Sequence, residues 1–364
     1  PQPHMRYIFA LLLTATLTVC GLALSNYLID PANVFHDDAV GPELYAEKLV
    51  ASAFGLWWPE NSFEDRRIKK ALTKFAPRFD CVVVGSSHVM QISANAETRL
   101  QGLGDACHAI LNLGVSGATL EDHITLTYLA LHEARPRYVI LGVDPWLLSW
   151  GKSQAWSYYA NEFGEAKTTI LSQHSTSQES STSTTLNRVA SLFSLAYTLQ
   201  SLRKVSEWVA DPSERRAINL APSLNASVGG EHPAFRPDGS LIYSARYLAD
   251  AAHAKIPLGG QTYMTSGNLN QSKAIDDYLA LLRWIRAKGS EPILLLTPYH
   301  ENVLKVAESN NSVAIRATEP IVRQVAKREN VRIIGSYDPV RAGCEPTEFL
   351  DFMHPSPSCL ARLK

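Results

Sequence analysis

The chain has 364 residues, of which 46% are hydrophobic and 19% are charged. This composition provides a hydrophobic core for one large domain or two smaller ones and excludes global disorder. The 34 basic and 35 acidic residues leave a formal net charge of −1. With no basic stripe among the aromatic residues, we expect no nucleic-acid partner.

The first predicted element is the uncharged segment 7–24, YIFALLLTATLTVCGLAL. At a rise of about 1.5 Å per residue, it is just long enough to cross a bilayer core of about 30 Å. We predict that residues 1–29 are an uncleaved signal anchor; the alternative is a buried helix of a soluble protein. Arg6 before the segment and acidic residues after it favour an N-terminus inside and the remaining chain outside.

Residues 30–62 are predicted to lead from this anchor to a folded domain, residues 63–364. Segment 63–76 has the pattern of an amphipathic helix. The next segment, CVVVGSSH (81–88), begins with apolar residues that do not alternate with polar ones, which is typical of a fully buried strand. That strand ends in glycine, two serines and a histidine.

Four more apolar segments follow the same form. They are HAILNLGVSG (108–117), RYVILGVDP (137–145), EPILLLTPYH (291–300) and VRIIGSYD (331–338). Predicted helices alternate with these strands, and each strand ends in polar or small residues. The pattern predicts an α/β fold with a central, mostly parallel sheet of about five strands. Ligands bind at the carboxyl ends of the strands in such sheets.

Residues 151–270 interrupt this alternation and are interpreted as an inserted cap or substrate-binding region. The region contains a Ser/Thr-rich loop at 171–185, predicted to be mobile. A long helix with an apolar face is predicted at 186–210. Asp238 and Gly239 predict a turn between two short extended segments.

Five cysteines are present, and one of them, Cys20, lies in the N-terminal apolar segment. The other four allow three pairings. Cys344 and Cys359 form the obvious local pair, and Cys81 with Cys107 would join the starts of two strands. The alternative is four free thiols.

A serine becomes a good nucleophile when a histidine takes its proton and a carboxylate orients that histidine. In EFLDFMHPSPSC (348–359), Asp351 and His354 are three residues apart, so one turn can hold both. They are predicted to serve Ser87 at the end of the first strand. The alternatives are that Ser87 only caps a helix and that His354 is a surface histidine.

Several cofactor patterns are missing from the sequence. There is no HxxxH or CxxC spacing for a metal, no GxGxxG after the first strand for a dinucleotide, and no complete GxxxxGK[ST] phosphate loop. We therefore expect neither a metal nor a cofactor.

Taken together, GSSH, NLGVSG, GVDP and the late DxxHP resemble the motifs of the SGNH/GDSL hydrolase superfamily, in order, over residues 78–357. More narrowly, YLIDP, DGSLIY, TPYH and GSYDP, with the N-terminal apolar segment, are similar to membrane-anchored SGNH-like proteins of bacterial envelopes. The resemblance implies a flavodoxin-like, three-layer fold. It also implies a nucleophile at Ser87, a general base at His354 and an orienting carboxylate at Asp351. The backbone N–H groups of Ser87 and Gly114 would be the oxyanion donors.

The sequence departs from the family pattern at two positions. Ser86 replaces the aspartate of the first motif, and Asp144 replaces an asparagine whose amide donates to the oxyanion. An ionised carboxylate cannot donate. Possible substitutes are His88, Tyr299 and His300.

The resemblance implies an inner-membrane protein with its main domain in the periplasm. It would be an esterase or an O-acyltransferase, with acetyl the expected group and envelope or exported polysaccharide the expected substrate. One alternative is a non-catalytic scaffold that binds polysaccharide or a membrane acyltransferase partner. A second is a thioesterase or lipase-like enzyme, with helix 186–210 lining an acyl groove.

Overall fold

The computed structural model describes residues 3–30, 35, 40–58, 65–76, 78–94, 97–148, 159–171, 189–190, 192–210, 230–260 and 271–364. The predicted mobile loop therefore lies outside the described residues from position 172 onward. The chain forms two compact units: residues 1–39 with 176–218, and residues 40–175 with 219–364.

The elements are numbered in chain order. The helices are α1 (Pro3–Ile29), α2 (Val40–Ala51), α3 (Asp65–Phe75), α4 (Leu120–Glu133), α5 (Ala160–Leu171), α6 (Leu195–Ala210), α7 (Ala245–His253), α8 (Gln271–Ala287), α9 (Glu301–Lys305), α10 (Asn310–Glu329), α11 (Pro339–Ala342) and α12 (Pro357–Arg362). The strands are β1 (Leu56–Trp57), β2 (Cys81–Val84), β3 (Ile110–Asn112), β4 (Tyr138–Gly142), β5 (Ala234–Phe235), β6 (Leu241–Ile242), β7 (Glu291–Leu296) and β8 (Arg332–Gly335).

The second unit contains a five-stranded parallel sheet in the order β3-β2-β4-β7-β8. This confirms the predicted α/β class and the parallel sheet of five strands. Numbered within the sheet, the order is 2-1-3-4-5, that of doubly wound, flavodoxin-like sheets. The direction of winding reverses between β2 and β4, which pair directly, with Val83 opposite Ile140. A crevice is expected at their carboxyl ends.

The sheet is buried on both faces. Successive side chains of a strand point to opposite faces, and Val82, Val83 and Val84 are all fully buried. One face packs Val83 and Ile140 into a cluster with Leu360 of α12. Layers therefore cover both sides of the sheet, which explains why the strand sequences are continuously apolar.

A small antiparallel sheet, β1-β5-β6, belongs to the same unit. Its β5–β6 hairpin turns at Asp238-Gly239, as the sequence predicts, and Gly239 has φ +82°. A Cβ on Gly239 would lie 2.5 Å from the carbonyl oxygen of Asn112, so the turn needs glycine for both its conformation and its close approach to β3. Residues 40–58, predicted to be part of a leader, form α2 and β1.

The first unit contains α1 and α6. Residues 7–29 of α1 form a helix long and apolar enough to cross a membrane, which agrees with the predicted apolar N-terminal segment. The helix predicted at 186–210 is different in the structure: residues 192–194 form a turn, and α6 begins at Leu195. The hydroxyl of Ser194 accepts the N–H of Tyr197 at 3.1 Å, a capping contact that starts the helix here.

Candidate active site

Ser87 lies just beyond β2, in a 3₁₀ turn of residues Ser87–Val89. The approach to this turn requires glycine at position 85, because a Cβ there would lie 2.8 Å from Cγ2 of Val89 and 3.2 Å from Cα of Gly142. The hydroxyl of Ser86 accepts the N–H of His88 at 3.2 Å. Ser86 thus caps the turn, and the Ser87 hydroxyl has a different partner.

That partner is His354. Its Nε2 lies 2.8 Å from Oγ of Ser87, and its Nδ1 lies 2.7 Å from Oδ2 of Asp351. The three side chains form one hydrogen-bonded chain across 267 residues of sequence. Ser87 and Asp351 are partly exposed, and 14% of the His354 side chain is accessible. The structure therefore brings together all three residues predicted to carry the chemistry.

The loop that holds Asp351 and His354 is a tight turn. Oδ1 of Asp351 accepts the N–H groups of Met353 and His354, each at 2.8 Å, and the N–H of Leu350 donates to the carbonyl of His354 at 2.8 Å. One carboxylate oxygen thus shapes the turn while the other binds the imidazole. The Cys344–Cys359 disulfide closes the surrounding segment.

The carboxylate of Asp351 stays ionised in this setting. Burial raises its pKa, but the hydrogen bond and charge of His354 and the two backbone N–H groups outweigh burial and lower the pKa to about 2. The hydroxyl of Tyr247, on α7, also donates to Oδ2 at 3.2 Å. An ionised carboxylate on Nδ1 fixes the tautomer in which Nε2 accepts a proton from the serine.

A second buried pair lies beside this chain. Nδ1 of His88 is 2.9 Å from Oδ1 of Asp144 and 3.1 Å from Oγ1 of Thr297. His88 is 1% exposed and Asp144 is 2% exposed. The His88 ring packs edge-on against the ring of His354, with centroids 5.0 Å apart. Among the residues described, Nε2 of His88 and Oδ2 of Asp144 have no hydrogen-bond partner.

Gly114 occupies the loop that follows β3, but its N–H is already engaged. It donates to Oδ1 of Asn112 at 2.9 Å. The amide of Asn112 also donates to the carbonyls of Val89 and Ile92, each at 2.8 Å. An oxyanion role for the Gly114 N–H, implied by the resemblance, would require the hydrogen bond to Asn112 to break.

The other two residues predicted as substrate contacts lie in the loop after β7. Tyr299 is fully buried and packs edge-on against His88, with centroids 5.2 Å apart. Nδ1 of His300 accepts the N–H of Asn302 at 3.1 Å and caps α9. Burial lowers the pKa of His300. The structure thus gives His300 a capping role, and the substrate roles of both residues remain predictions.

Asn112 and Tyr247 support the site, and neither was singled out from the sequence. Asn112 fixes the segment after Ser87. The sequence feature that could have identified it is a lone amide side chain inside the apolar run HAILNLG. Tyr247 contacts Asp351 from 104 residues away, and no local pattern identifies that contact. Lys69 of α3 is also buried, and its Nζ donates to the carbonyl of Asn112 at 2.9 Å.

Both predicted disulfides are present, Cys81–Cys107 and Cys344–Cys359. The carboxylate of Asp80 lies near the first of them, in the one group of potential metal ligands found among the described residues. In this group, the sulfurs of Cys81 and Cys107 are bonded to each other. The carboxylate of Asp80 accepts the N–H groups of His108 and Ala109, each at 2.9 Å. This group is therefore structural.

No protein-family profile matches the chain, and no curated protein is significantly similar to it. The geometry of the site is therefore the basis for a functional proposal. A serine, a histidine and an ionised carboxylate in hydrogen-bonded sequence are the groups needed for acyl transfer through a covalent intermediate.

Proposed function

We propose that the protein is a serine-dependent ester hydrolase or O-acyltransferase of the SGNH type, with Ser87 as its nucleophile. The observation that supports this most strongly is the continuous hydrogen bonding from Ser87 Oγ to His354 Nε2 at 2.8 Å and from His354 Nδ1 to Asp351 Oδ2 at 2.7 Å. These hydrogen-bonded residues lie at the carboxyl edge of the parallel sheet, where doubly wound proteins bind their ligands.

In the proposed reaction, Ser87 Oγ attacks the ester carbonyl while its proton passes to Nε2 of His354. The tetrahedral intermediate collapses, the C–O bond of the leaving alcohol breaks, and His354 returns the proton to that alcohol. The acyl group then remains on Ser87. Water or a second hydroxyl attacks the acyl-enzyme, with His354 again accepting a proton. Asp351 stabilises the imidazolium in both steps.

Two backbone groups are the best donors to the developing oxyanion. The N–H groups of Ser87 and Gly117 have no hydrogen-bond acceptor among the described residues. Gly117 lies in the same loop as Gly114 and has φ +56°. We therefore favour Gly117 over Gly114 for this role.

His88 is proposed as the third donor, in place of the asparagine that Asp144 replaces. An ionised carboxylate 2.9 Å from Nδ1 requires a hydrogen on that nitrogen. A hydrogen on Nε2 would then be a buried N–H with no other acceptor among the described residues. A donor of this kind is preorganised, because the pair is fixed by Thr297 and by the surrounding rings.

The donor proposal is tested by the rate of serine labelling. His88→Phe should lower the labelling rate by about 10²–10³, as expected for a lost oxyanion donor. His88→Gln, which keeps an amide N–H, should recover part of that loss. Equal losses in both variants would make His88 a packing residue only.

The substrate and the location are proposed from the resemblance and from α1. Both are consistent with a protein anchored in the bacterial inner membrane, with its main domain in the periplasm. The proposed substrate is an ester on envelope or exported polysaccharide, with acetyl as the transferred group. Whether water or a sugar hydroxyl accepts the acyl group is to be decided by product analysis.

A non-catalytic scaffold that binds polysaccharide or an acyltransferase partner is the second candidate. The engaged N–H of Gly114 and the carboxylate of Asp144 favour it, since neither group donates to an oxyanion as it stands. A thioesterase would need an acyl groove. The described part of α6 packs its polar side on α1, so α6 gives no support for that groove.

Labelling with a fluorophosphonate tests the enzyme proposal against the scaffold. The full chain is labelled beside Ser87→Ala and His354→Ala, and the adduct is located by peptide mass mapping. Ser93→Ala is the matched control, because Ser93 is a nearby buried serine that donates to Asp238. An adduct on Ser87 that is lost in the first two variants and retained in the control supports an activated serine. No adduct on the folded wild type favours the scaffold.

A further inference from the structure

Helix α6 has its polarity reversed relative to a helix of a water-soluble protein. Leu195, Leu199, Leu202 and Val209 are 74%, 57%, 61% and 77% exposed. Their spacing of four, three and seven residues places them on one face, which we call the apolar stripe. Among the described residues away from this stripe, Tyr197 and Ser201 are buried.

The buried side of α6 is held to α1 by hydrogen bonds. The Asn26 amide donates to Oγ1 of Thr198 at 2.9 Å and to the carbonyl of Leu192 at 2.7 Å. The Ser201 hydroxyl donates to Oδ1 of Asn26 at 2.8 Å, and the Tyr197 hydroxyl donates to Oδ1 of Asp30 at 2.6 Å.

Helices in water bury apolar side chains and expose polar ones, because the hydrophobic effect drives their association. Helices in lipid have no such driving force, and they use polar side chains and small residues at their interfaces. The α1–α6 interface has the second form, since Asn26 and Ser201 are buried and hydrogen-bonded to each other across it, and the small residue Ala23 of α1 is also buried. An apolar stripe facing outward is then what the surrounding acyl chains require.

The contacts also locate α6 along α1. Asn26 lies three residues before the end of the apolar helix segment 7–29, and Asp30 follows that segment. Leu24 and Leu28 of α1 are 58% and 66% exposed at the same level. Exposed leucines of both helices thus lie near the C-terminal boundary of the segment.

We infer that α6 lies in the membrane, against the C-terminal end of α1, with its apolar stripe in contact with lipid acyl chains. This inference rests on α1 spanning a membrane and does not depend on the chemistry of Ser87. The protein would be held by two helical elements, and α1 would be part of a folded unit. The rival occupant of the stripe is an apolar surface of a second membrane protein.

Spin-label accessibility tests this on the full chain, purified and reconstituted into vesicles of phosphatidylethanolamine and phosphatidylglycerol. A nitroxide is attached to Leu199→Cys in a Cys20→Ser background. The native Cys20, which is exposed on α1, is the bilayer control. Arg246→Cys in the same Cys20→Ser background is the aqueous control, since Arg246 is 88% exposed. Collisions with oxygen and with a water-soluble nickel chelate are compared at each position.

We expect the collision frequency with the nickel chelate to be as low at position 199 as at position 20. Position 246 should retain a high collision frequency. Nickel-chelate access at 199 with none at 20 would overturn the inference, because the stripe would face water when lipid alone is supplied. Nickel-chelate access at both 199 and 20 would overturn the membrane span of α1 as well. A second label at Leu202→Cys guards against a local disturbance at 199.

Discussion

Among single residues, Asp351 has the most clearly separable effect on the proposed chemistry. It fixes the imidazole of His354 through Oδ2 and shapes the turn through Oδ1. Asp351→Asn should leave the turn nearly intact but present an N–H to Nδ1, which selects the wrong tautomer. We expect the rate of Ser87 labelling to fall by about 10⁴. Tyr247→Phe removes only the 3.2 Å hydrogen bond and should cost less than about tenfold.

The low pKa of Asp351 also predicts a pH dependence of stability. Its folded pKa of about 2 lies below the ordinary aspartate pKa of 3.8. Asp351 therefore stabilises the fold above pH 3.8, and this contribution is lost as the pH falls through 3.8 towards 2. The free energy of unfolding of wild type should approach that of Asp351→Asn over this interval. Asp250→Asn, at an exposed carboxylate, should show no such convergence.

Lys69 predicts a second pH dependence of stability, with the same direction but at neutral to alkaline pH. Burial lowers its pKa to about 7 from 10.5, although the charges of Asp65 and Asp238 partly oppose this. Between these values the unfolded chain binds more protons at this group than the folded chain does. Stability from this group therefore rises as the pH rises from 7 to 10.5. The free energy of unfolding of wild type minus that of Lys69→Met should rise over this range, and a flat difference would contradict the buried, neutral lysine.

The sequence predicted the residues whose relation is local and missed those whose relation depends on tertiary folding. Asp351 and His354 are three residues apart, so one turn suffices to relate them. Ser87 follows an apolar run that ends at a predictable sheet edge. By contrast, Tyr247 and Lys69 reach the site from other elements, and the engagement of the Gly114 N–H depends on the rotamer of Asn112. No periodicity encodes these contacts.

At the scale of elements, α3 and α4 hold the loop after β3 through a buried ion pair. Arg66 donates to both carboxylate oxygens of Asp122, at 2.8 and 3.0 Å, and to the carbonyl of Ser116 at 2.8 Å. Arg66→Met leaves the Asp122 charge uncompensated in the interior. We expect a loss of about 3–5 kcal/mol in the free energy of unfolding, measured by urea denaturation.

A double variant distinguishes the destabilisation caused by the uncompensated charge from that caused by lost packing. Arg66→Met with Asp122→Asn removes the uncompensated charge but keeps an oxygen that accepts the N–H of Thr119, now bound at 2.8 Å. The double variant should be more stable than Arg66→Met alone. If it is less stable, the ion pair is not the reason for the loss.

The Cys344–Cys359 disulfide is the second element-scale constraint, since it joins residues 15 apart around the His354 turn. Replacing both cysteines with serine should lower the free energy of unfolding by about 3 kcal/mol, the value expected for a loop of this length. The rate of Ser87 labelling should fall as well, because the turn gains freedom. Unchanged stability in urea would show that the turn is fixed by its hydrogen bonds alone.

Among the elements, the five strands of the parallel sheet were predictable because they are continuous apolar runs with polar ends. The predicted helix at 186–210 is interrupted at residues 192–194, and its predicted start at 186–188 lies outside the described residues. Its apolar periodicity extends through residues 192–194, where the Ser194 cap starts a new helix. The periodicity also gave no sign that the apolar side of α6 faces outward, since a pattern shows which residues share a face and does not show what covers it.

In the whole molecule, strand order is what joins the parts of the site. Ser87 and His88 follow β2, Asp144 follows β4, and these two strands flank the point where the winding reverses. The sequence predicted a parallel sheet but left its order open, because parallel pairing is decided by crossover packing between distant segments. The buried polar pair of His88 and Asp144 emerges only once that order is known.

Detection of an acyl-enzyme on Ser87 would decide whether this serine is the nucleophile. The full chain in lipid nanodiscs would be mixed with 4-nitrophenyl acetate, quenched rapidly in acid and digested, and the Ser87 peptide would be weighed by mass spectrometry. We predict acetylation of that peptide and a burst of nitrophenolate equal in molar amount to the enzyme present. Both should be lost in Ser87→Ala. Nitrophenolate release without acetylation of Ser87, or a burst retained in Ser87→Ala, would contradict this prediction.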